Sequence, residues 1–412
     1  MTAVEQPDEA RAFTPVTVGP LTLRNRFIKS ATNEGMARGG VPSRALVEHH
    51  RRIAAGGAAM TTVAYCAVTA DGRTFEDQVT LDDATLPHLR ALTDAVRAEG
   101  AAACAQITHG GCFTFLPELS TRYPLSASGG FNPPGAISGR FFKTAMTEAD
   151  MDTVAEAFAA GARRAREAGF DAVEIHMGHG YLLSQFLSPA YNRRRDAWGG
   201  NAERRARFPV AVLRRVLDAV GDTMAVTCKL SVVEGHRRGA PLEDVITTAR
   251  ALEAAGAHML VLSGGMNVEA PWQIFGSNMP AAAVTSIQNP VVRVATRLMR
   301  LWEPRVAFEE LYLRPYSQQV RGAVTMPLAY LGGAKSMDGV GSVMADGFDC
   351  VVMGRALIHD AQLVRRFERG ETRVSGCTAC NECVVTMYGP GGTHCVLTGS
   401  GDPDANSRPA AG

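Results

Sequence analysis

The sequence predicts an α/β fold, a (β/α)8 TIM barrel, on three observations. Eight short apolar or β-branched runs alternate with longer Ala-, Arg- and Glu-rich segments of helical period. Each apolar run ends in polar residues or glycine. Strand–helix alternation implies a parallel sheet, and eight units imply closure, with functional residues gathered at the C-terminal strand ends. The chain has 412 residues, and a barrel of this kind absorbs most of that length as one domain.

The elements follow in order. "TPVTVGPLTLRN" (14–25) reads as a hairpin covering the barrel bottom. The strands are "RFIKSAT" (26–32), "AAMTTVAYCAV" (58–68, after the Gly56-Gly57 stop), "AAACAQITH" (101–109) and "DAVEIHM" (171–177). They continue with "MAVTCKLSV" (224–232), "HMLVLSGG" (258–265), "PLAYLGG" (327–333) and "DCVVMGRA" (349–356). Between them lie amphipathic helices such as "LPHLRALTDAVRAEG" and "MDTVAEAFAAGARRAREAGF". The second places Arg163, Arg164 and Arg166 toward solvent.

Residues 266–322 form a long insertion after strand six, carrying Trp272, Phe275, Trp302, Phe308, Tyr312 and Tyr316. Loops of this length in compact domains are usually functional. Its first part is expected over the active site, and its end is expected to be the helix feeding strand seven. The barrel is assigned to 13–370, a Cys-rich C-terminal segment to 371–397 and a disordered tail to 398–412.

Composition excludes several classes. Lys and Arg total 42 against 41 Asp and Glu, so charge gives no reason to expect nucleic acid or an anionic membrane as partner. The runs Arg193–Arg195 and Arg204–Arg207 read as a loop and a solvated helix face. Residues 1–12 lack the apolar core of a secretory signal, and no run of about 20 apolar residues could span a bilayer. Nine cysteines, five in apolar surroundings (Cys66, Cys104, Cys112, Cys228, Cys350) and four crowded near the C-terminus, are not a secreted disulfide framework. A soluble cytoplasmic protein is expected, with homo-oligomerisation open.

The chemistry concentrates at strand ends. "VEIHMGHGYLLSQFLSPAYNRRRDAWGG" (173–200) starts as a buried strand, then presents His176, His179 and Tyr181 in the loop after strand four. "LGGAKS" (331–336) and "VMGRAL" (352–357) stand after strands seven and eight, where barrels commonly bind phosphate on backbone N–H groups. Gly332, Gly333 and Gly354 would admit the phosphate, and Arg355 would pair with it. Gln106, His109 and Lys229 also end strands. A side-chain amide suits a flavin pyrimidine edge, and a lysine near N1/O2 would stabilise the anionic reduced flavin.

These motifs resemble the old yellow enzyme family of FMN-dependent oxidoreductases. The resemblance rests on "NRF" in strand one, "Q-x-x-H-x-G" in strand three and "E-I-H-x-x-H-G-Y-L-x-x-Q-F-L-S-P" in strand four. It continues through "N-x-R-x-D-x-x-G-G", the basic residue of strand five, and "G-G" and "G-R" at strands seven and eight, over roughly residues 13–360. It implies that His176 and His179 hydrogen-bond the substrate's electron-withdrawing oxygen and that Tyr181 protonates the substrate carbon. It implies flavin-ring contacts at Gln106 and Lys229, strand-one backbone contacts at Ala31 and Thr32, and a phosphate site at Gly333, Gly354 and Arg355.

The implied reaction is reduction of FMN by NAD(P)H, then hydride transfer from reduced N5 to an activated C=C of an α,β-unsaturated carbonyl compound. The reverse chemistry, as a desaturase, dehydrogenase or amine oxidase, is the alternative, and a flavin electron-transfer module is a third reading. Two departures stand out. The threonine or cysteine that touches the flavin carbonyl in many members aligns with Asn33, one place after Thr32, and a small residue often found in strand two falls near Tyr65.

"CTACNEC…THC" spaces Cys377, Cys380, Cys383 and Cys395 as C-x2-C-x2-C-x11-C, which suits a [4Fe–4S] cluster or zinc. It resembles the 2,4-dienoyl-CoA reductase and trimethylamine dehydrogenase branch, of which this chain reads as a single-domain relative. That branch usually spaces its second and third cysteines one residue further apart and continues into a second flavin/nucleotide domain. His176 and His179 as a zinc pair have no third ligand at obvious spacing. No metal is assigned by the sequence.

Overall fold

The structure is a computed structural model describing residues 7–136, 138–285, 290–387, 389 and 391–398. The expected tail lies, after Thr398, outside the described residues.

Eight parallel strands close into a barrel: β1 Phe27–Asn33, β2 Met60–Ala67, β3 Ala102–Thr108, β4 Ala172–Met177, β5 Ala225–Ser231, β6 Met259–Ser263, β7 Leu328–Leu331 and β8 Cys350–Met353. Each pairs with its sequence neighbour and β8 returns to β1, the expected (β/α)8 order. The strands are largely buried because both faces are covered, one by helices and one by the barrel interior. In β4, Val173, Ile175 and Met177 join the layer beneath the helices. Glu174 and His176, offset by one, belong to the opposite face of the strand.

The helices between strands are α1 Arg44–Ala55, α2 Leu86–Ala98, α3 Glu148–Glu167, α4 Ala202–Val220, α5 Leu242–Ala254, α6 Arg314–Arg321, α7 Met337–Ala345 and α8 Leu363–Glu368. Four of these starts are capped by side chains: Ser43 for α1, a Thr147–Asp150 capping box for α3, Asn201 for α4 and Ser336 for α7. Such caps each contribute about 1 kcal/mol. Along α3, Arg163 and Arg166 are exposed and Arg164 is half-buried beside Asp83.

The hairpin, Val16–Val18 with Leu21–Leu23, closes the barrel bottom as expected. Val18 and Leu23 pack on Ile28, Met60, Cys104, Ala172, Ala225 and Met259. The insertion after β6 is not one loop. It holds the short helices Pro271–Phe275 and Ala282–Thr285, the helix Pro290–Arg300 and finally α6, which leads to β7. Trp302, in this insertion, is 89% exposed.

Two arginine positions differ from the expected solvated runs. Arg205 is buried, donates to the Leu187 and Gly200 carbonyls and pairs with Asp244. Arg194 clasps Asp196 and donates to the Ala127 and Met146 carbonyls. Both brace loops. No helix among the described residues is long and apolar enough to cross a membrane.

Candidate active site

A cavity of about 1140 Å³ opens at the C-terminal strand ends. It exceeds the roughly 300–1,000 Å³ of most small-molecule pockets, leaving room for two ligands. Its walls include Ala31, Thr32, Gln106, His176, His179, Tyr181, Lys229, Gly333, Gly354 and Arg355, which the structure thus brings together. Gly332 differs: it is not on the wall, and its carbonyl accepts the Tyr330 hydroxyl at 3.1 Å. His109 is also off the wall, where its Nδ1 accepts the Gly111 N–H at 3.0 Å.

The floor is a buried polar layer above the apolar hairpin plug. Gln106 and Glu174 are register partners on β3 and β4, and Lys229 faces His176 across β4 and β5. Glu174 Oε1 accepts Gln106 Nε2 at 2.7 Å and lies 3.0 Å from Lys229 Nζ. The sequence reading passed over Glu174. Its signal was the strand period of two: it lies two places before His176 and so shares its face. All three side chains are nearly inaccessible, so each charge needs the other.

The loop after β4 is shaped by left-handed backbone at His179, φ +60°, and at Gly180, φ +85°. Gly178 N–H donates to His176 Nδ1 at 3.3 Å, which assigns the His176 proton to Nε2. His179 Nε2 lies 2.8 Å from Ser263 Oγ. The two imidazoles meet edge to face at 4.9 Å, and His176 meets the Tyr181 ring at 4.7 Å. Burial, with Lys229 nearby, pushes the His179 pKa down to about 3, and burial holds His176 well below its usual value. Both rings are therefore neutral near pH 7.

Bulges at the ends of β1 and β2 set the adjoining wall. Pairing moves from Lys29↔Thr61 to Thr32↔Val63, and from Val63↔Ala105 to Cys66↔Ile107, so each leading strand carries one extra residue. Ala31 and Tyr65 thereby reach Tyr181 in one apolar cluster with Phe75 and Phe113. The Tyr65 ring lies 5.2 Å from that of Tyr181. The Thr32 hydroxyl turns the other way, to the fully buried Lys29–Glu34 pair.

At the ends of β7 and β8, Gly333 has φ +84°, and a Cβ there would sit 3.0 Å from Phe308 and Tyr312. Gly354 precedes the short helix Arg355–His359. Arg355 donates to the Asn381 side chain and to the Phe275 carbonyl.

Of the four C-terminal cysteines, Cys383 lies near enough to feel the charges of Cys377, Cys380 and Cys395. Among the described residues no three His, Cys, Asp or Glu side chains are arranged to hold a metal ion. Cys383 and Cys395 pack with Ile358 in an apolar corner, His359 Nδ1 lies 3.4 Å from Cys395 Sγ, and Cys380 is exposed.

Comparison with known proteins agrees with the fold. The profile of the NADH:flavin oxidoreductase / NADH oxidase family matches residues 11–373. The chain is 40% identical over 393 residues to 4,4'-dithiodibutanoate disulfide reductase of Rhodococcus erythropolis, covering 93% of this chain and 94% of that one. It is 29% identical over 378 residues to an NADH oxidase of Thermoanaerobacter brockii, covering 90% of this chain but 52% of that protein, so it spans about half of that relative. Among solved structures, an old yellow enzyme homologue of Zymomonas mobilis superposes with a TM-score of 0.68 at 21% identity, covering 90% of this chain and 95% of that one. 2-Naphthoyl-CoA reductase superposes with a TM-score of 0.76 at 23% identity, covering 91% of this chain and 55% of that one. The protein is a flavin-dependent enzyme of the barrel class. It belongs to the NADH:flavin oxidoreductase / NADH oxidase family, the old yellow enzyme family, whose members use FMN with NADH or NADPH. The residues fit FMN: a buried amide–carboxylate–lysine floor for the ring, and an arginine with glycine backbone for the phosphate.

Proposed function

We propose that the protein is an ene-reductase, using NAD(P)H to reduce the activated C=C of an α,β-unsaturated carbonyl compound. The observation that carries this reading is the convergence of His176, His179 and Tyr181 beside the Lys229 floor. When bound, FMN supplies hydride drawn from NAD(P)H. Gln106 and Lys229 hold its pyrimidine edge, and Gly333, Gly354 and Arg355 its phosphate. Ala31 and Thr32 provide backbone beside the ring. Negative charge grows on the substrate oxygen as hydride arrives at the β-carbon. Neutral His176, with its proton on Nε2, donates to that oxygen, and His179, braced by Ser263, is its second partner. Donors fixed in a dry site stabilise such charge more in the transition state than in the ground state. Tyr181 delivers a proton to the α-carbon.

A second reading is favoured by the 40% identity, over nearly the whole of both chains, with a disulfide reductase. Hydride adds to one sulfur, the S–S bond breaks, and the leaving thiolate takes its proton from Tyr181. The test is anaerobic turnover of the FMN-loaded protein with NADH or NADPH, offering 2-cyclohexenone or 4,4'-dithiodibutanoate and identifying the products. Saturated ketone supports the first reading and two thiols per NAD(P)H the second. Reduction of neither sinks both.

A further inference from the structure

We propose that the Cys-rich segment is a clamp on the phosphate end of the flavin site, with Asn381 as the positioning residue for Arg355 and Lys335 as a second phosphate cation. This rests on placing the FMN phosphate at Gly354 and Arg355, and not on which acceptor is reduced.

Asn381 lies inside "CTACNEC", is 1% exposed and adopts φ +63°, a backbone that asparagine tolerates better than most residues. Its side chain joins three segments. Oδ1 accepts Arg355 Nη1, while Nδ2 donates to Ser277 Oγ at 3.0 Å and to the Asn278 carbonyl at 3.0 Å. Arg355 Nη2 donates to the Phe275 carbonyl at 2.6 Å. Two of five N–H donors are thus used to fix the guanidinium, and three remain for an anion. A fork held in place loses less entropy on binding.

Lys335 is held by the same segment. Its Nζ lies 3.3 Å from the Cys377 carbonyl, and the Ser375 N–H donates to the Lys335 carbonyl at 2.8 Å. Both cations approach the Phe308 ring, Arg355 Cζ at 5.4 Å and Lys335 Nζ at 5.6 Å from its centre. Both cations line the cavity, as do Cys377, Ala379 and Cys383. Glu310 is spent elsewhere, accepting the Lys335 and Ser336 N–H groups at the start of α7. Two cations facing one cavity wall, carried by hydrogen bonds to neutral groups, match a phosphate dianion.

The experiment compares FMN with riboflavin, which lacks the phosphate, by fluorescence titration of apoprotein. Asn381→Ala should weaken FMN by about tenfold or more and leave riboflavin within about twofold, since one charge-assisted contact carries about 1.4 kcal/mol or more. Adding Arg355→Ala to Asn381→Ala should cost clearly less than Arg355→Ala alone, because Asn381 acts through that arginine. Lys335→Met should likewise weaken FMN alone, and it decides the matter if Asn381→Ala fails to fold. Equal losses for both flavins, additive losses in the double variant, or an unchanged FMN-to-riboflavin ratio in Lys335→Met would overturn the proposal. An apoprotein that binds neither flavin would instead remove the placement of the cofactor itself.

Discussion

Glu174 Oε1 is shared between Lys229 Nζ, 3.0 Å away, and Gln106 Nε2, 2.7 Å away. In the proposed placement of the flavin, Lys229 would meet it as half of a neutral pair. Removing the carboxylate charge should favour the anionic reduced cofactor. Glu174→Gln is expected to raise the FMN midpoint potential by about 30 mV or more, a tenfold effect for a two-electron couple. An anaerobic dye titration measures it, and an unchanged or lowered potential counts against Lys229 as a ring contact.

Tyr181→Phe removes the proposed proton source while keeping the ring that packs on Tyr65 and His176. Alkene reduction should fall about 10²-fold or more, and reduction of bound flavin by NAD(P)H should stay near the parent rate. Stopped-flow measurement of the two half-reactions separates them. Equal losses in both would mean that Tyr181 serves the donor as well.

Acid should destabilise the fold through its buried histidines. Burial lowers His49 and His179 to about 3 and His109 to about 4, while an unfolded histidine takes its proton near 6.5. The unfolded chain then binds more protons, so stability falls as pH drops below about 6.5. Unfolding at pH 5.5 should be accompanied by net uptake of more than one proton, checked by calorimetry in buffers of different ionisation enthalpy. Over pH 6–8 neither His176 nor His179 should place an inflection in the rate profile.

Glu234 carries the opposite sign. Burial pushes its pKa up to about 7, against hydrogen bonds from Ser188 Oγ and the Ala240 N–H. An acid with a raised folded pKa holds its proton in the fold after the unfolded chain has released it. Stability is therefore lost as pH rises from about 4.5 to about 7. Glu234→Gln, which still accepts both bonds, should gain about 3 kcal/mol over the parent at pH 8 and much less at pH 5. Denaturant unfolding at the two pH values tests it.

The barrel was legible because each strand is buried on both faces and reads as a mostly apolar run that ends in polar residues or glycine. Residues 109–147 were not. They hold a small sheet of Leu125–Ser126, Gly130–Phe131 and Phe142–Ala145, too short to show a period. The site was legible where a motif stood at a strand end, as at His176, Tyr181 and Arg355. It was illegible where a neighbour in space made the function, as with Glu174 under Gln106 and Lys229, or Asn381 beside Arg355. Gly332 and Gly333 are adjacent and chemically identical. Only the fold distinguishes the one facing the cavity from the one facing Tyr330.

The hairpin of Val16–Val18 and Leu21–Leu23 stoppers one end of the barrel, leaving a vessel with a single working mouth. On the proposed function, donor and acceptor would then take turns through that mouth, the spent nicotinamide leaving before the oxidant enters. Initial rates at several fixed acceptor concentrations should give parallel double-reciprocal lines. Each molecule of either reactant at high concentration should inhibit by occupying the other's turn.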